Sequence, residues 1–162
     1  MYIILRFLHI ASAIAFVGGV FSRQLARSIA LRSDRPEDIA LGFRVADPIE
    51  RFMVIPGSIL VTLSGVLLAL VAGVPMFGFL QGASSNWLLA ANVLILSELV
   101  LVPGVFLPRG KVFGQHLEEA VRRGQVTSEL RASMDAPVVR LSHIYELAAT
   151  ALIVILMVFK PI

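Results

Sequence analysis

Apolar residues along the chain are collected into four long stretches that polar segments separate. The stretches run from about residue 2 to 22, 52 to 73, 87 to 107 and 138 to 159. An α-helix needs about 20 mostly apolar residues to cross the ~30 Å hydrocarbon core of a bilayer, and each stretch has about that length. The pattern predicts an all-α protein, a four-helix transmembrane bundle. We expect residues 1–162 to form a single integral membrane domain.

The composition agrees with a membrane protein. Of 162 residues, 57% are hydrophobic and 15% are charged, whereas soluble domains are about 45–50% apolar and about 25% charged. These values exclude a soluble enzyme, a disordered protein and a nucleic-acid binder with a basic surface. The chain has no cysteine, which excludes disulfides, cysteine-ligated zinc and iron–sulfur clusters.

The first stretch is expected to stay in the mature protein. Its triplet Ala11-Ser12-Ala13 loosely resembles a signal-peptide cleavage site. The apolar run before the triplet is short, and the run continues through Phe21. We therefore interpret the stretch as a retained span.

Basic residues predict the orientation. Of the 14 lysines and arginines, all but Arg6 and Lys160 lie between the first and second stretches or between the third and fourth, or at the edges of those segments. The positive-inside rule places both basic segments in the cytoplasm and both termini outside. We expect a multi-pass membrane protein whose basic segments contact anionic lipid headgroups. The high isoelectric point then requires no nucleic-acid partner.

The basic segments carry helix signals, which predict short cytoplasmic helices. Asp34-Arg35-Pro36-Glu37 is typical of a helix start, and Asp47-Pro48-Ile49-Glu50 repeats the signature and predicts the start of the second spanning helix. A further helix is expected to end at Gly124, and another to begin near Thr127.

Small residues predict how the helices pack, since they mark helix contacts in lipid. They recur every four residues at Ala11, Ala15 and Gly19 in the first stretch and at Gly65, Ala69 and Gly73 in the second. We expect these two faces to meet. Pro56 and Pro103 are expected to kink their helices.

Ionisable side chains within the spans are costly and are therefore functional candidates. The chain has five of them: Arg6, His9, Glu98, His143 and Glu146. They show no metal-binding spacing such as HExxH, so no metal site is predicted. The structural alternative is that Arg6 reaches the outer surface, that His9 hydrogen-bonds a neighbouring helix, and that the two glutamates join helices by hydrogen bonds.

Arg6 and His9 share a helix face, and His143 and Glu146 are three residues apart on another helix. The helix rise puts the two histidines roughly 14 Å apart along the membrane normal. That separation disfavours one haem held by both histidines. A haem with His9 as its single histidine ligand is compatible with it.

Three segments carry a resemblance to known membrane proteins: Leu5-Arg6-Phe7-Leu8-His9 with Gly19, Phe21 and Arg23; Arg51-Phe52-Met53-Val54-Ile55-Pro56 with Gly65; and Val158-Phe159-Lys160-Pro161. They resemble the HemJ-type protoporphyrinogen oxidases and the wider CopD-like membrane group. The chain is still more similar to a related family of predicted bacterial integral membrane proteins of unknown function. That family shares the histidine in the first span, the Arg/Pro entry to the second and the Lys-Pro ending. The resemblance implies a location in the bacterial cytoplasmic (inner) membrane.

The resemblance implies that His9 corresponds to the first-span histidine implicated in haem binding in the HemJ type. The chain departs from that type at Trp87-Leu88-Leu89-Ala90-Ala91, where the family has a Trp-Leu-His-x-Lys-like stretch. Its polar Asn-Glu pair is matched only loosely, by Tyr145-Glu146. We therefore do not assign the porphyrinogen-oxidising activity, and the catalytic residues stay unknown.

Three functional hypotheses follow. The first is a haem- or porphyrin-associated membrane redox protein that binds haem b, with His9 as axial ligand and Arg6 beside a propionate. The second is a non-catalytic small subunit of a larger membrane complex, or a homo-oligomer. The third is a small ion or proton pathway that uses Glu98, His143 and Glu146.

Overall fold

The structure is a computed structural model that describes residues 1–160, so Pro161 of the Lys-Pro ending lies outside the described residues. The α-helices are α1 (Tyr2–Ala30), α2 (Pro36–Ile49), α3 (Ile55–Ala72), α4 (Trp87–Leu101), α5 (Leu107–Arg123), α6 (Ser128–Met134) and α7 (Pro137–Phe159). A short 3₁₀ helix, Gly78–Gln81, lies between α3 and α4. Residues 1–160 contain no strand, which confirms the all-α prediction.

Within residues 1–160, four helical segments are long and apolar enough to cross a membrane. They are Tyr2–Ala30, Pro36–Ala72, Trp87–Arg123 and Ser128–Phe159. Each contains one of the four predicted stretches, except that Gly73 follows the end of the second segment, and each extends beyond its stretch at the end that carries the basic segments. We call this end, formed by residues 23–51 and 107–140, the basic end, and the opposite one the terminal end.

The predicted start of the second spanning helix at Asp47-Pro48 is wrong. Helix α2 continues without a break into α3 through a π-helical turn, Glu50–Val54, in which the N–H of Ile55 bonds the carbonyl of Glu50. A second π-helical turn, Val102–Phe106, joins α4 to α5 in the same way. Proline removes a backbone donor, and a helix can absorb this loss through a local wide turn instead of ending.

Three helix ends follow from local chemistry. Gly124 ends α5 with φ of 66°, and the Thr127 hydroxyl accepts the N–H of Leu130 at 3.2 Å to begin α6, as expected. Gly73 differs from its prediction as a packing residue. It ends α3 with φ of 65°, and a Cβ there would meet nothing within 4 Å.

Helices α1 and α3 form one tightly packed pair. Backbone approaches backbone at Gly57, where a Cβ would lie 3.0 Å from the N and Cα of Phe16. A Cβ at Gly19 would lie 2.9 Å from Cβ of Met53 and 3.0 Å from Cγ2 of Val54. Small residues thus bring α1 and α3 together, but the contacts differ from the predicted ones. Gly19 meets residues of the π-helical turn before α3, Gly65 packs on His9, and Gly57 was not among the predicted contacts.

Helices α4 and α7 form the second pair, and the two pairs meet mainly where α1 contacts α7. At the basic end, α2, α5 and α6 share a small apolar core of Ile39, Leu117, Ala120 and Leu130. The predicted short helices of the basic segments therefore exist as packed extensions of the spanning helices.

A methyl group at Gly57 tests the α1–α3 contact. We expect Gly57→Ala to destabilise the protein in detergent by about 1–3 kcal/mol, the usual cost of overpacking, because the Phe16 backbone cannot move aside. The measurement is the unfolding midpoint of the purified protein. Gly104→Ala is the control, since a Cβ there meets nothing within 4 Å. Equal midpoints for the two variants would contradict the packing.

Candidate functional site

A large cleft separates the α1–α3 pair from the α4–α7 pair. Its volume is about 3460 Å³, whereas pockets for small ligands usually measure about 300–1,000 Å³. The cleft runs from Tyr2 at the terminal end to Arg122 at the basic end. All five predicted site residues line it, namely Arg6, His9, Glu98, His143 and Glu146.

His9 lies at the α1–α3 contact and is held by α3. Its Nδ1 is 3.0 Å from the carbonyl oxygen of Val61 and 3.2 Å from the hydroxyl of Ser64. A carbonyl oxygen only accepts, so Nδ1 carries the proton and donates it. In the neutral imidazole, Nε2 then keeps its lone pair.

Space for this imidazole depends on Gly65. A Cβ at Gly65 would lie 3.0 Å from Cε1 of His9. The His9 ring therefore packs directly against Gly65, where any larger residue would place its Cβ against the ring. Ser64 donates in turn to the Leu60 carbonyl at 2.5 Å, which fixes the hydroxyl that faces His9.

Arg6 lies one turn from His9 toward the terminal end and is exposed. Among residues 1–160 it forms no ion pair, and the structure does not bring it to Glu98. Lys160, at the same end, has its Nζ 5.6 Å from the centre of the Trp87 ring. The terminal end thus presents two cations, Arg6 and Lys160, at the mouth of the cleft.

Glu98 lies on α4 and faces α7. The Thr150 hydroxyl donates to its Oε1 over 3.2 Å, and Thr150 is almost fully buried. Next to Glu98 on α4, the Ser97 hydroxyl hydrogen-bonds the hydroxyl of Tyr145. These contacts join α4 to α7 near the middle of the spans.

The most buried charge is Arg23, which the sequence did not mark as a site residue. Its side chain is 4% exposed. One guanidinium nitrogen contacts Glu50 in the π-helical turn before α3, and the other lies 2.6 Å from Oε2 of Glu146 on α7. Arg27, one turn later, lies 3.6 Å from the same Glu50 carboxylate. Arg23 therefore links the two helix pairs at the basic end.

His143 belongs to this cluster. Its Nδ1 is 3.5 Å from Oε2 of Glu146, which is longer than a normal hydrogen bond. The ring stacks on Phe106 with centroids 4.7 Å apart and planes inclined by 19°. The predicted local pair of His143 and Glu146 is thus brought together and shares its carboxylate with Arg23.

The two histidines lie in opposite halves of the cleft. Along α1, the rise per residue separates His9 from Arg23 by roughly 21 Å, and Arg23 contacts Glu146 beside His143. The two imidazoles cannot reach one iron atom. Within residues 1–160, no group of three or more His, Asp or Glu side chains is arranged to hold a metal ion.

Sequence reasoning missed Arg23 and Glu50 for a definite reason. Both lie at the edges of spans, where charged residues usually report orientation only. One signal was present: Arg23 follows Gly19 by four residues and so shares its helix face. Gly19 packs against Met53 and Val54, so this face points toward Glu50.

Removal of the Arg23 charge tests the cluster. We expect Arg23→Met to destabilise the protein by about 3–5 kcal/mol, because Glu50 and Glu146 lose their buried partner. Glu146→Met should cost a similar amount, and the double variant should cost less than the two single changes together. Unfolding midpoints in detergent measure all three. The control is Arg122→Met, whose 75% exposed side chain pairs with Glu119 and should matter little. Strictly additive losses at Arg23 and Glu146 would contradict the ion pair.

Comparison with known proteins places the chain in a family. No curated protein and no solved structure matches it significantly. The model of one family, described as "Predicted integral membrane protein (DUF2269)", matches residues 3–161. This confirms the predicted similarity to a family of integral membrane proteins of unknown function, whereas the relation to the HemJ and CopD-like types stays a prediction. The chain belongs to the DUF2269 family of predicted integral membrane proteins.

Proposed function

We propose that this integral membrane protein binds haem b or a related porphyrin in the terminal half of the cleft, with His9 as axial ligand. The observation that carries the proposal is the hydrogen bond from Nδ1 of His9 to the Val61 carbonyl at 3.0 Å. Histidines that ligate metals commonly donate their other ring N–H to a carbonyl or carboxylate, which fixes the ring and raises its basicity.

The surroundings of His9 fit the requirements of a haem. Nε2 forms no hydrogen bond with residues 1–160, and the ring lines the cleft. The neighbouring lining is mostly apolar, with Phe16, Val17 and Leu68 among its residues. An apolar pocket with one nitrogen ligand is the usual setting for a b-type haem.

The charges at the mouth of the cleft support the same ligand. Arg6 is one turn from His9, and Lys160 lines the cleft at the same end. No acidic residue occurs in residues 1–22 or 73–86. Two cations in an environment without carboxylates suit the propionate groups of a porphyrin. When bound, a haem would supply one-electron redox chemistry.

We further propose a bacterial cytoplasmic-membrane location with the basic end in the cytoplasm. The support is the distribution of lysine and arginine, which the positive-inside rule relates to orientation. Anionic lipid headgroups are the partner that suits the basic end, because each nearby lysine or arginine adds attraction to a negative leaflet.

The visible spectrum tests the proposed ligand. We expect the protein, purified in mild detergent and supplied with haem, to show a Soret band. In a haem titration followed by this band, His9→Ala should lower the apparent affinity for haem by about 10-fold or more, because altering groups around a metal ligand has roughly 10–100-fold effects. His116→Ala is the matched control. Its ring lies at the basic end, where Nδ1 is 2.7 Å from the Ser133 hydroxyl, and its band should be unchanged.

Two results would contradict the proposal. One is the absence of a Soret band after haem addition to a folded protein. The other is a band that His9→Ala and His116→Ala leave equally strong. Co-purification of a partner protein without any band would instead favour the small-subunit hypothesis.

A further inference from the structure

We propose that the basic half of the cleft is a hydrated inlet, open on one side of the membrane only, through which water and protons reach Glu98. The inlet is formed by Arg23, Gln24 and Arg27 of α1 and by His143, Glu146 and Thr150 of α7. This proposal goes beyond the proposed haem site, because one-electron chemistry at a haem iron does not itself consume protons. Its evidence and its test do not depend on haem.

Unsatisfied polar atoms mark the entrance. Four buried side-chain atoms have no hydrogen-bond partner among the described residues: Nε of Arg23, Oε1 of Gln24, Nε of Arg27 and Nδ1 of His143. All four residues line the cleft. Buried polar groups in native proteins are almost always paired with protein or with ordered water.

The four atoms suit water better than a single charged ligand. Two arginine N–H groups donate, the Gln24 oxygen accepts, and a histidine nitrogen can do either. Two arginines face two glutamates, Glu50 and Glu146, so the cluster is nearly balanced in charge without an added ion. Water molecules supply donors and acceptors in equal number and leave this balance intact.

A polar path continues from the entrance to the middle of the span. Thr150 follows Glu146 by one helical turn, so the two side chains lie on one face of α7 about 5–6 Å apart. The Thr150 hydroxyl then donates to Glu98 at 3.2 Å. One water molecule between Glu146 and Thr150 would complete a continuous hydrogen-bonded chain.

The path ends at Glu98. Beyond it, toward the terminal end, the lining is mainly apolar and includes Ile95 and Leu68. The polar Asn92 also lines this part, but its amide already donates to the Met76 carbonyl at 3.0 Å. His9 is the next ionisable group, and its Nδ1 is committed to Val61. Water should therefore enter from the basic face and stop in mid-membrane. The inlet is not a channel across the bilayer.

Cysteine accessibility tests the inlet, because the chain has no cysteine of its own. Thr150→Cys places a thiol within the path. Val100→Cys is the matched control on α4 near Glu98, at a side chain that is 70% exposed and lies outside the cleft lining. Membrane vesicles of each orientation are treated with Ag⁺. The protein is then unfolded in detergent, and the thiols that Ag⁺ has not blocked are labelled with a fluorescent maleimide. Gln115→Cys, exposed on α5, reports which vesicles present the basic face.

From the basic face, we expect Ag⁺ to block Thr150→Cys about 10-fold faster or more than Val100→Cys, because the reactive thiolate forms in water and not in lipid. From the terminal face, the two variants should react equally slowly. Equal rates from the basic face would overturn the inlet, and fast reaction of Thr150→Cys from the terminal face would overturn its one-sidedness. Glu98→Cys, at the inner end of the path, repeats the comparison if Thr150→Cys does not fold. No haem is added, so the result is separate from that of the Soret experiment.

Discussion

The buried guanidinium of Arg23 is the interaction on which the rest of the structure depends. In lipid, burial of apolar surface contributes little to helix association, so helices associate through close packing and polar contacts. Close packing holds α1 to α3 through Gly19 and Gly57. It does not hold the α1–α3 pair to the α4–α7 pair. Within the spans, Arg23 makes that connection, since it contacts Glu50 on one side and Glu146 on the other. Beyond the spans, the apolar core shared by α2, α5 and α6 joins the same two pairs at the basic end.

Because the two helix pairs are connected at the basic end, they remain apart toward the terminal end, and the space between them is the cleft. The cleft has two chemically different halves. Around His9, a fixed imidazole lies in mostly apolar surroundings with Arg6 and Lys160 at the mouth. Around Arg23, charged and polar side chains surround unsatisfied buried atoms. Glu98 and Thr150 lie between the halves. The proposed haem site and the proposed inlet thus occupy opposite ends of one space.

The sequence predicted the fold well because lipid imposes a simple rule on composition and length. It also pointed to His9, Glu98, His143 and Glu146, because ionisable groups stand out within apolar stretches. It could not predict the Arg23 cluster, since the partners come from three distant segments whose register depends on helix packing. The sequence did not predict the π-helical turn at Glu50–Val54. Asp47-Pro48 is typical of a helix start, but a proline can also be accommodated inside a longer helix, and the dipeptide alone does not distinguish the two.

The distance between the two helix pairs tests the role of Arg23 most directly. Spin labels can be attached at Leu67→Cys on α3 and Ile155→Cys on α7, whose native side chains are half-exposed and lie outside the cleft lining. Pulsed electron–electron double resonance then measures the distance between the two labels in lipid. With Arg23 present, we expect one narrow distance distribution. With Arg23→Met, the distribution should broaden or shift, because the pairs lose their charged connection. An unchanged narrow distribution in the Arg23→Met protein would contradict the account.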